Sequence, residues 1–253
     1  MREAKHYTES FYDDHQSGSY SSAKKVLPVV YNLFRPQSVI DIGCGIGDWL
    51  KVWSDILGVP YIMGVEGPYV NPDKLRVPKE NVRFQDLKEN FNIAKKFDLA
   101  MSLEVAEHLP ESNAENFIRN LTGLSDVILF SAAIPGQRGT YHINEQEPEY
   151  WAEIFLKFDY VAVDFLRENI WKDTDIEWWY RQNIMIYIKK SRIQEFPDLY
   201  EAYKNTSQNL YKIHPELFRH VSQELTKISS INGFIRWKLY PLKQFLKKKF
   251  GGK

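Results

Sequence analysis

The stretch Val39-Ile40-Asp41-Ile42-Gly43-Cys44-Gly45-Ile46-Gly47-Asp48 constrains the fold more than any other part of the chain. A short apolar run enters three alternating glycines, and the residues that follow read as a helix. Glycine lets a turn adopt positive φ and lets a ligand come close to the backbone. A crossing of this kind, from strand through glycine turn to helix, belongs to a doubly wound sheet that binds its ligand at the C-terminal strand ends. The dinucleotide fingerprint is G-x-G-x-x-G. The spacing here is G-x-G-x-G, with the acid Asp41 just upstream, which argues against NAD. A glycine-rich turn with no ligand is the plainer alternative, and the flanking strand and helix speak against it.

Segments of both kinds alternate from Ser21 to Lys189. Strands are expected at Ser38–Ile42, Tyr61–Val65, Val82–Phe84, Phe97–Ser102, Asp126–Ser131, Tyr160–Phe165 and Ile184–Lys189. Helices are expected at Ser21–Phe34, Asp48–Leu57, Glu111–Leu121 and Glu147–Phe158. The alternation implies an α/β fold, a seven-stranded, mostly parallel sheet covered on both faces. From about Arg192 strand signals stop, so residues 1–190 are expected as the main domain and 191–253 as a helical extension. The first 35 residues should form a lid and a helix, with Tyr7–Ser22 folding over the ligand.

Charge and cysteine content exclude several classes. Lys plus Arg and Asp plus Glu are both 33, so the net charge is zero. Seven of the basic residues lie between Phe234 and Lys253, where no acid occurs, which leaves a mildly acidic body. Phosphate binding needs clustered Lys and Arg, so no nucleic acid is expected as partner. The single cysteine, Cys44, excludes an internal disulfide and a Cys-rich zinc site. The N-terminus lacks the apolar core of a signal peptide, and no apolar run approaches the ~20 residues of a membrane span. The expected location is the cytoplasm.

The acid-plus-G-x-G-x-G motif resembles the first motif of class I S-adenosylmethionine (SAM)-dependent methyltransferases. Over Tyr7–Lys189, about three quarters of the chain, FYDDHQSGSYSSAKKVLPVV, SVIDIGCGIGDWL, MSLEVAEHLP, FSAAIPGQRGTYHINEQEPEYW and DIEWWYRQN resemble a family of bacterial methyltransferase-domain proteins. The resemblance implies a Rossmann-like fold, SAM as cofactor and a small polar acceptor such as a sugar, because relatives are often linked to surface-polysaccharide or natural-product pathways. Asp41, Gly43, Gly45 and Gly47 would then form the cofactor loop. Glu66 ends the second strand 21 residues after Gly45 and could accept from the ribose hydroxyls. Asp86 in FQDL would face the adenine amino group, with Leu87 and Ser102 completing the cofactor wall. Relatives usually carry Asp where this chain has Glu66.

Chemistry is expected after the fourth and fifth strands. Methyl transfer is an in-line displacement, and a hydroxyl acceptor must also lose a proton. His142 and His108 are candidate bases, since imidazole titrates near neutrality, and Glu145 could support them. Glu104, Glu107, His108 and His142 could alternatively hold Mg²⁺ or Mn²⁺. E-x-x-E-H with a later His is similar to the metal site of small-RNA 3′-end 2′-O-methyltransferases and, in part, to quinone-pathway O-methyltransferases. It also occurs where it only starts a helix and walls the cofactor. In the loop Gly136–Trp151, Gln137 and Asn144 could reach an acceptor or simply hold the loop. Of Trp171, Trp178, Trp179 and Tyr180, at least two are expected in the core.

The leading expectation is O-methylation of a sugar or sugar phosphate. RNA or a quinone precursor as acceptor, or a non-catalytic SAM-binding scaffold, remain the alternatives. The tail FIRWKLYPLKQFLKKKF, with Pro241 breaking any helix, could pack on the body or on a second subunit as a homodimer. It could instead hold the inner face of an anionic membrane; packing is the favoured reading.

Overall fold

A computed structural model describes residues 9–91, 93–206 and 210–229, with side chains for those from 18 to 227. The basic tail and the start of the expected lid lie outside the described residues. The chain divides into two compact units, Met1–Lys212 and Ile213–Lys253.

The first unit is built on seven strands: β1 (Ser38–Ile42), β2 (Tyr61–Glu66), β3 (Val82–Phe84), β4 (Leu99–Leu103), β5 (Val127–Ser131), β6 (Tyr160–Val163) and β7 (Met185–Lys189). Their spatial order is 3-2-1-4-5-7-6. β1 to β5 pair parallel, and β7 runs antiparallel between β5 and β6. Every residue of β4 and β5 is buried. Strands covered on both faces need apolar residues at every position, not alternate ones.

Alternate residues of β1 feed two different cores. Val39 packs with Val26, Leu27 and Val30 of α1 (Glu9–Phe34) and with Leu50 of α2 (Asp48–Lys51). Ile40 and Ile42 pack instead with Phe117, Ile118 and Leu121 of α3 (Ala114–Leu124) and Phe155 of α4 (Pro148–Leu156). Period-2 alternation on a strand thus sorts side chains to opposite layers. α2 continues as a π-helix over Val52–Ile56, which seats the fully buried Trp53 with its indole N–H on Met101 Sδ at 3.3 Å. The segment before β7 folds as α5 (Leu166–Ile170) and α6 (Trp178–Asn183).

The expected boundary after residue 190 lies instead after Lys212. Ile193, and Leu199 of α7 (Pro197–Asn205), are buried in the α1-side core, so this part of the extension belongs to the main unit. The second unit contains α8 (Pro215–Ser229). α1 also begins earlier than the expected Ser21, taking in most of the expected lid as one continuous helix.

Candidate active site

The C-terminal ends of β1, β4 and β5 open onto one cleft. Its floor is the glycine loop with Asp41, Asp48 and Trp49; Glu104, Glu107 and His108 come from the β4 end, and Gln137, Gly139 and His142 from the loop after β5. Ser19, Trp179 and Tyr180 close the remaining side.

In the loop, Gly43, Gly45 and Gly47 all have positive φ. A side chain at Gly43 would meet Val105 at 2.4 Å, whereas one at Gly45 would meet nothing within 4 Å. Gly45 therefore faces open cleft, which is what a backbone-hugging ligand requires. Asp41 is 3% exposed, and burial, then the charge of Glu66, pushes its carboxyl well above the usual carboxylate range. Asp48 is held by the guanidinium of Arg76, which also stacks over Tyr20 of α1.

Glu66 ends β2 as expected, but its oxygens already have donors. The N–H groups of Gly45 and Gly67 each donate at 2.6 Å, and the Tyr69 hydroxyl donates at 2.9 Å. Glu66 thereby braces the glycine loop, while Oε2, which accepts only from Gly45, keeps acceptor capacity for a further donor. Three further residues expected on the cofactor wall have other partners here. Asp86 is exposed, accepts from the Lys88 N–H at 3.0 Å and pairs with the Lys88 ammonium at 3.6 Å. Leu87 is buried in the α3-side core. Ser102 is fully buried and donates to the Ile42 carbonyl at 2.8 Å, tying β4 to β1. None of these three lines the cleft.

The acid–histidine group divides in two. Glu104 sits at φ +54°, a left-handed conformation that costs a non-glycine residue about 1–3 kcal/mol. Its N–H donates to the Ser131 carbonyl at 3.0 Å, and its carboxylate accepts from Asn183 at 3.0 Å and Gln137 at 3.0 Å. Gln182 joins the same network through Asn183 and Gln137. Burial raises the Glu104 carboxyl, and these amides offset part of the rise. Glu104 is thus not free to converge with the other three.

Glu107, His108 and His142 do converge, with one potential ligand atom from each lying within 4.8 Å of the others. Glu107 is completely buried, and neither carboxylate oxygen receives a hydrogen bond of ordinary geometry. Burial, then the charge of Glu104, pushes it well above the usual range; the nearby N–H groups of Glu107 and Ala133 offset only part. Burial, then His142, lowers His108 to about 4, although its Nδ1 lies 3.3 Å from the Tyr141 carbonyl. The two imidazoles meet edge to face at 5.0 Å.

His142 has its own carboxylate. Its Nδ1 is 2.9 Å from Glu145 Oε1, and Glu145 is fixed by the N–H groups of Gly136 at 2.9 Å and Arg138 at 2.6 Å. A side chain on Gly139 would strike His142 Nε2 at 2.2 Å, so Gly139 makes room for the ring. Asn144 turns away: it is buried, accepts from Gln146 and does not line the cleft.

A family model described as Methyltransferase domain matches residues 13–127. Over residues 13–127 the chain is similar to a methyltransferase domain. The methyltransferase fold recurs in solved structures of low identity. The sugar N-methyltransferase KedS8 from Streptoalloteichus sp ATCC 53650 aligns with TM-score 0.55 at 14% identity, over 72% of this chain and 92% of that one. SAM-bound CalS10, an amino pentose methyltransferase from Micromonospora echinaspora, aligns with TM-score 0.53 at 12% identity, over 72% and 98%. The plantazolicin methyltransferase BpumL aligns with TM-score 0.52 at 19% identity, over 74% and 90%. No curated protein matches the sequence significantly. Among the described residues, no helix is long and apolar enough to cross a membrane.

The aromatic wall of the cleft was the part least legible in the sequence. Of Trp171, Trp178, Trp179 and Tyr180, at least two are expected in the core, but only Tyr180 is buried; Trp179 packs half-buried against that core, and both line the cleft. Trp49 and Ser19 had no sequence signal beyond proximity to the glycine loop and the N-terminal resemblance.

Proposed function

We propose that this methyltransferase moves the methyl group of SAM to a hydroxyl of a small, polar, sugar-like acceptor, with His142 as general base. The observation that carries the reading is the His142–Glu145 pair on the cleft wall, at 2.9 Å. SAM supplies an electrophilic methyl group on a positively charged sulfur. The residues of the chain must align the acceptor oxygen and take its proton. With Nδ1 turned to Glu145, Nε2 of His142 is left to accept that proton, and the carboxylate stabilises the imidazolium that results. Glu104, Gln137 and His108 give the same wall several hydrogen-bonding groups suited to a polyhydroxylated ring. Sugars are also the acceptors named for two structures of the same fold, one of them an N-methyltransferase, and surface-polysaccharide biosynthesis is the pathway we propose for such an acceptor. The test is release of S-adenosylhomocysteine with a panel of sugar nucleotides. The unaltered protein should turn over at least one, and His142→Ala should lose about 10²–10⁴-fold in kcat. Unchanged kcat in that variant would remove the assigned base.

A second reading is favoured by Glu107. A fully buried carboxyl with no donor of ordinary geometry is costly, and a divalent cation shared with His108 and His142 would satisfy it. His108, held neutral at pH 7, suits a ligand role. On this reading EDTA stops turnover, Mg²⁺ or Mn²⁺ restores it, and Mn²⁺ raises the melting temperature of the protein but not of Glu107→Gln. Turnover indifferent to EDTA would eliminate it.

A further inference from the structure

The second unit, Ile213–Lys253, combines an open apolar face with an unbalanced charge. In α8, Phe218, Val221 and Leu225 fall at i, i+3 and i+7 and so share one face. Phe218 is 69% exposed and Leu225 57%, and Ile213, just ahead of the helix, is 51% exposed. By the same spacing Glu216, His220, Gln223 and Lys227 fall on the other side. The charges of α8 balance, Glu216 and Glu224 against Arg219 and Lys227, with the Lys227 ammonium 3.2 Å from Glu224. Beyond Ser230 they do not. The chain continues through seven Lys and Arg and no acid, and Trp237, Tyr240, Phe245 and Phe250 are interleaved with them. The whole unit carries nine basic residues against two acidic ones.

We propose that Ile213–Lys253 anchors the protein to the surface of an anionic lipid bilayer. The Phe218–Leu225 face of α8 enters the headgroup layer, and the basic residues beyond Ser230 meet lipid phosphates. An anionic bilayer sets negative phosphates directly above an apolar acyl layer, so one surface takes up both the positive charge and the Phe and Leu side chains. Acidic groups of the unit Met1–Lys212 would attract the charge, but a charged protein surface gives Phe218 and Leu225 no apolar partner. A second copy of α8 would cover the apolar face, but α8 is neutral and would leave the seven basic residues without counter-charge. Trp and Tyr beside Lys also suit the boundary between headgroups and acyl chains, where amphipathic rings are enriched. The sequence alone favours packing of the tail; the open face of α8 immediately before it makes a lipid surface the better match. The inference is independent of the acceptor and of the cleft, whose residues all lie in Met1–Lys212.

The experiment sediments the full chain with vesicles of phosphatidylcholine, alone or mixed with phosphatidylglycerol, at low and high salt. The protein should bind the mixed vesicles at least about tenfold more tightly than the neutral ones, and high salt should remove most of that preference. Lys247→Gln, Lys248→Gln and Lys249→Gln together should weaken binding to the mixed vesicles by about 10²-fold, about fivefold for each charge. Phe218→Ser with Leu225→Ser should weaken it by about tenfold or more. Both variants should keep the melting temperature of the unaltered protein, which separates lost binding from lost folding. Equal binding to neutral and anionic vesicles, or unchanged binding by either variant, would overturn the proposal. So would a dimer seen by light scattering without lipid that Phe218→Ser with Leu225→Ser dissolves, because the apolar face would then belong to a second copy of the chain.

Discussion

Two glycines of one loop should fail in different ways. Gly45→Val adds a side chain into open cleft. Beyond about 1–3 kcal/mol of left-handed strain it should leave the fold standing and abolish binding of S-adenosylhomocysteine. Gly43→Ala drives a methyl group into Val105 at 2.4 Å in a φ +81° conformation. It should cost roughly 2–4 kcal/mol by crowding and strain together, read from urea denaturation. Equal stability of the two variants would contradict the geometry. His108 gives a pH signature. Its folded pKa of about 4 lies below the ordinary 6.5, so between these values the unfolded chain binds more protons. Stability contributed by neutral His108 is complete above pH 6.5 and is lost as the pH falls towards 4. With EDTA present, His108→Asn should flatten the decline in stability across that window, by up to about 3 kcal/mol. A decline of unchanged steepness would show that His108 titrates normally.

At the scale of elements, α5 and α6 do more than connect β6 to β7. Arg167 of α5 is 1% exposed. It makes two 2.7 Å bonds to Asp164 and donates to the carbonyl of Gln182 at 3.2 Å. Gln182 and Asn183, at the end of α6, belong to the amide network that holds Glu104. The ion pair therefore braces the element that positions one wall of the cleft. Asp164→Ala would leave a buried guanidinium without its carboxylate and should cost about 3–5 kcal/mol. Tryptophan fluorescence during urea unfolding measures it, and a loss under 1 kcal/mol would show that Gln182 alone suffices for Arg167.

At the scale of the molecule, every residue assigned to the cleft lies within the unit Met1–Lys212. That unit retains the bond from the Lys212 ammonium to Asp164 at 2.5 Å. A chain ending at Lys212 should therefore bind S-adenosylhomocysteine within about twofold of the full chain. Much weaker binding would assign Ile213–Lys253 a part in the cofactor site.

The sequence by itself determined the elements that depend on local pattern. Ser38–Ile42 and Val82–Phe84 form strands with the bounds expected of them, because an apolar run ending in glycine or a polar turn leaves the backbone little alternative. The alternation of strand and helix implied the mostly parallel sheet, and acid-plus-G-x-G-x-G marked the strand end where the cleft opens. The tertiary structure decided everything that depends on which way a side chain turns. Asp86 and Ser102 occupy the expected strand ends, yet one pairs with Lys88 and the other with the Ile42 carbonyl. Glu104 and Glu107 are three residues apart on adjoining turns, yet one is enclosed by amides and the other receives no hydrogen bond of ordinary geometry. Ser19, Trp49 and Tyr180 are separated by up to 161 residues and meet at one place. Sequence patterns report burial and backbone conformation, which neighbouring residues set. A hydrogen-bond partner or a subsite is set by groups far away in the chain, and only folding brings those together.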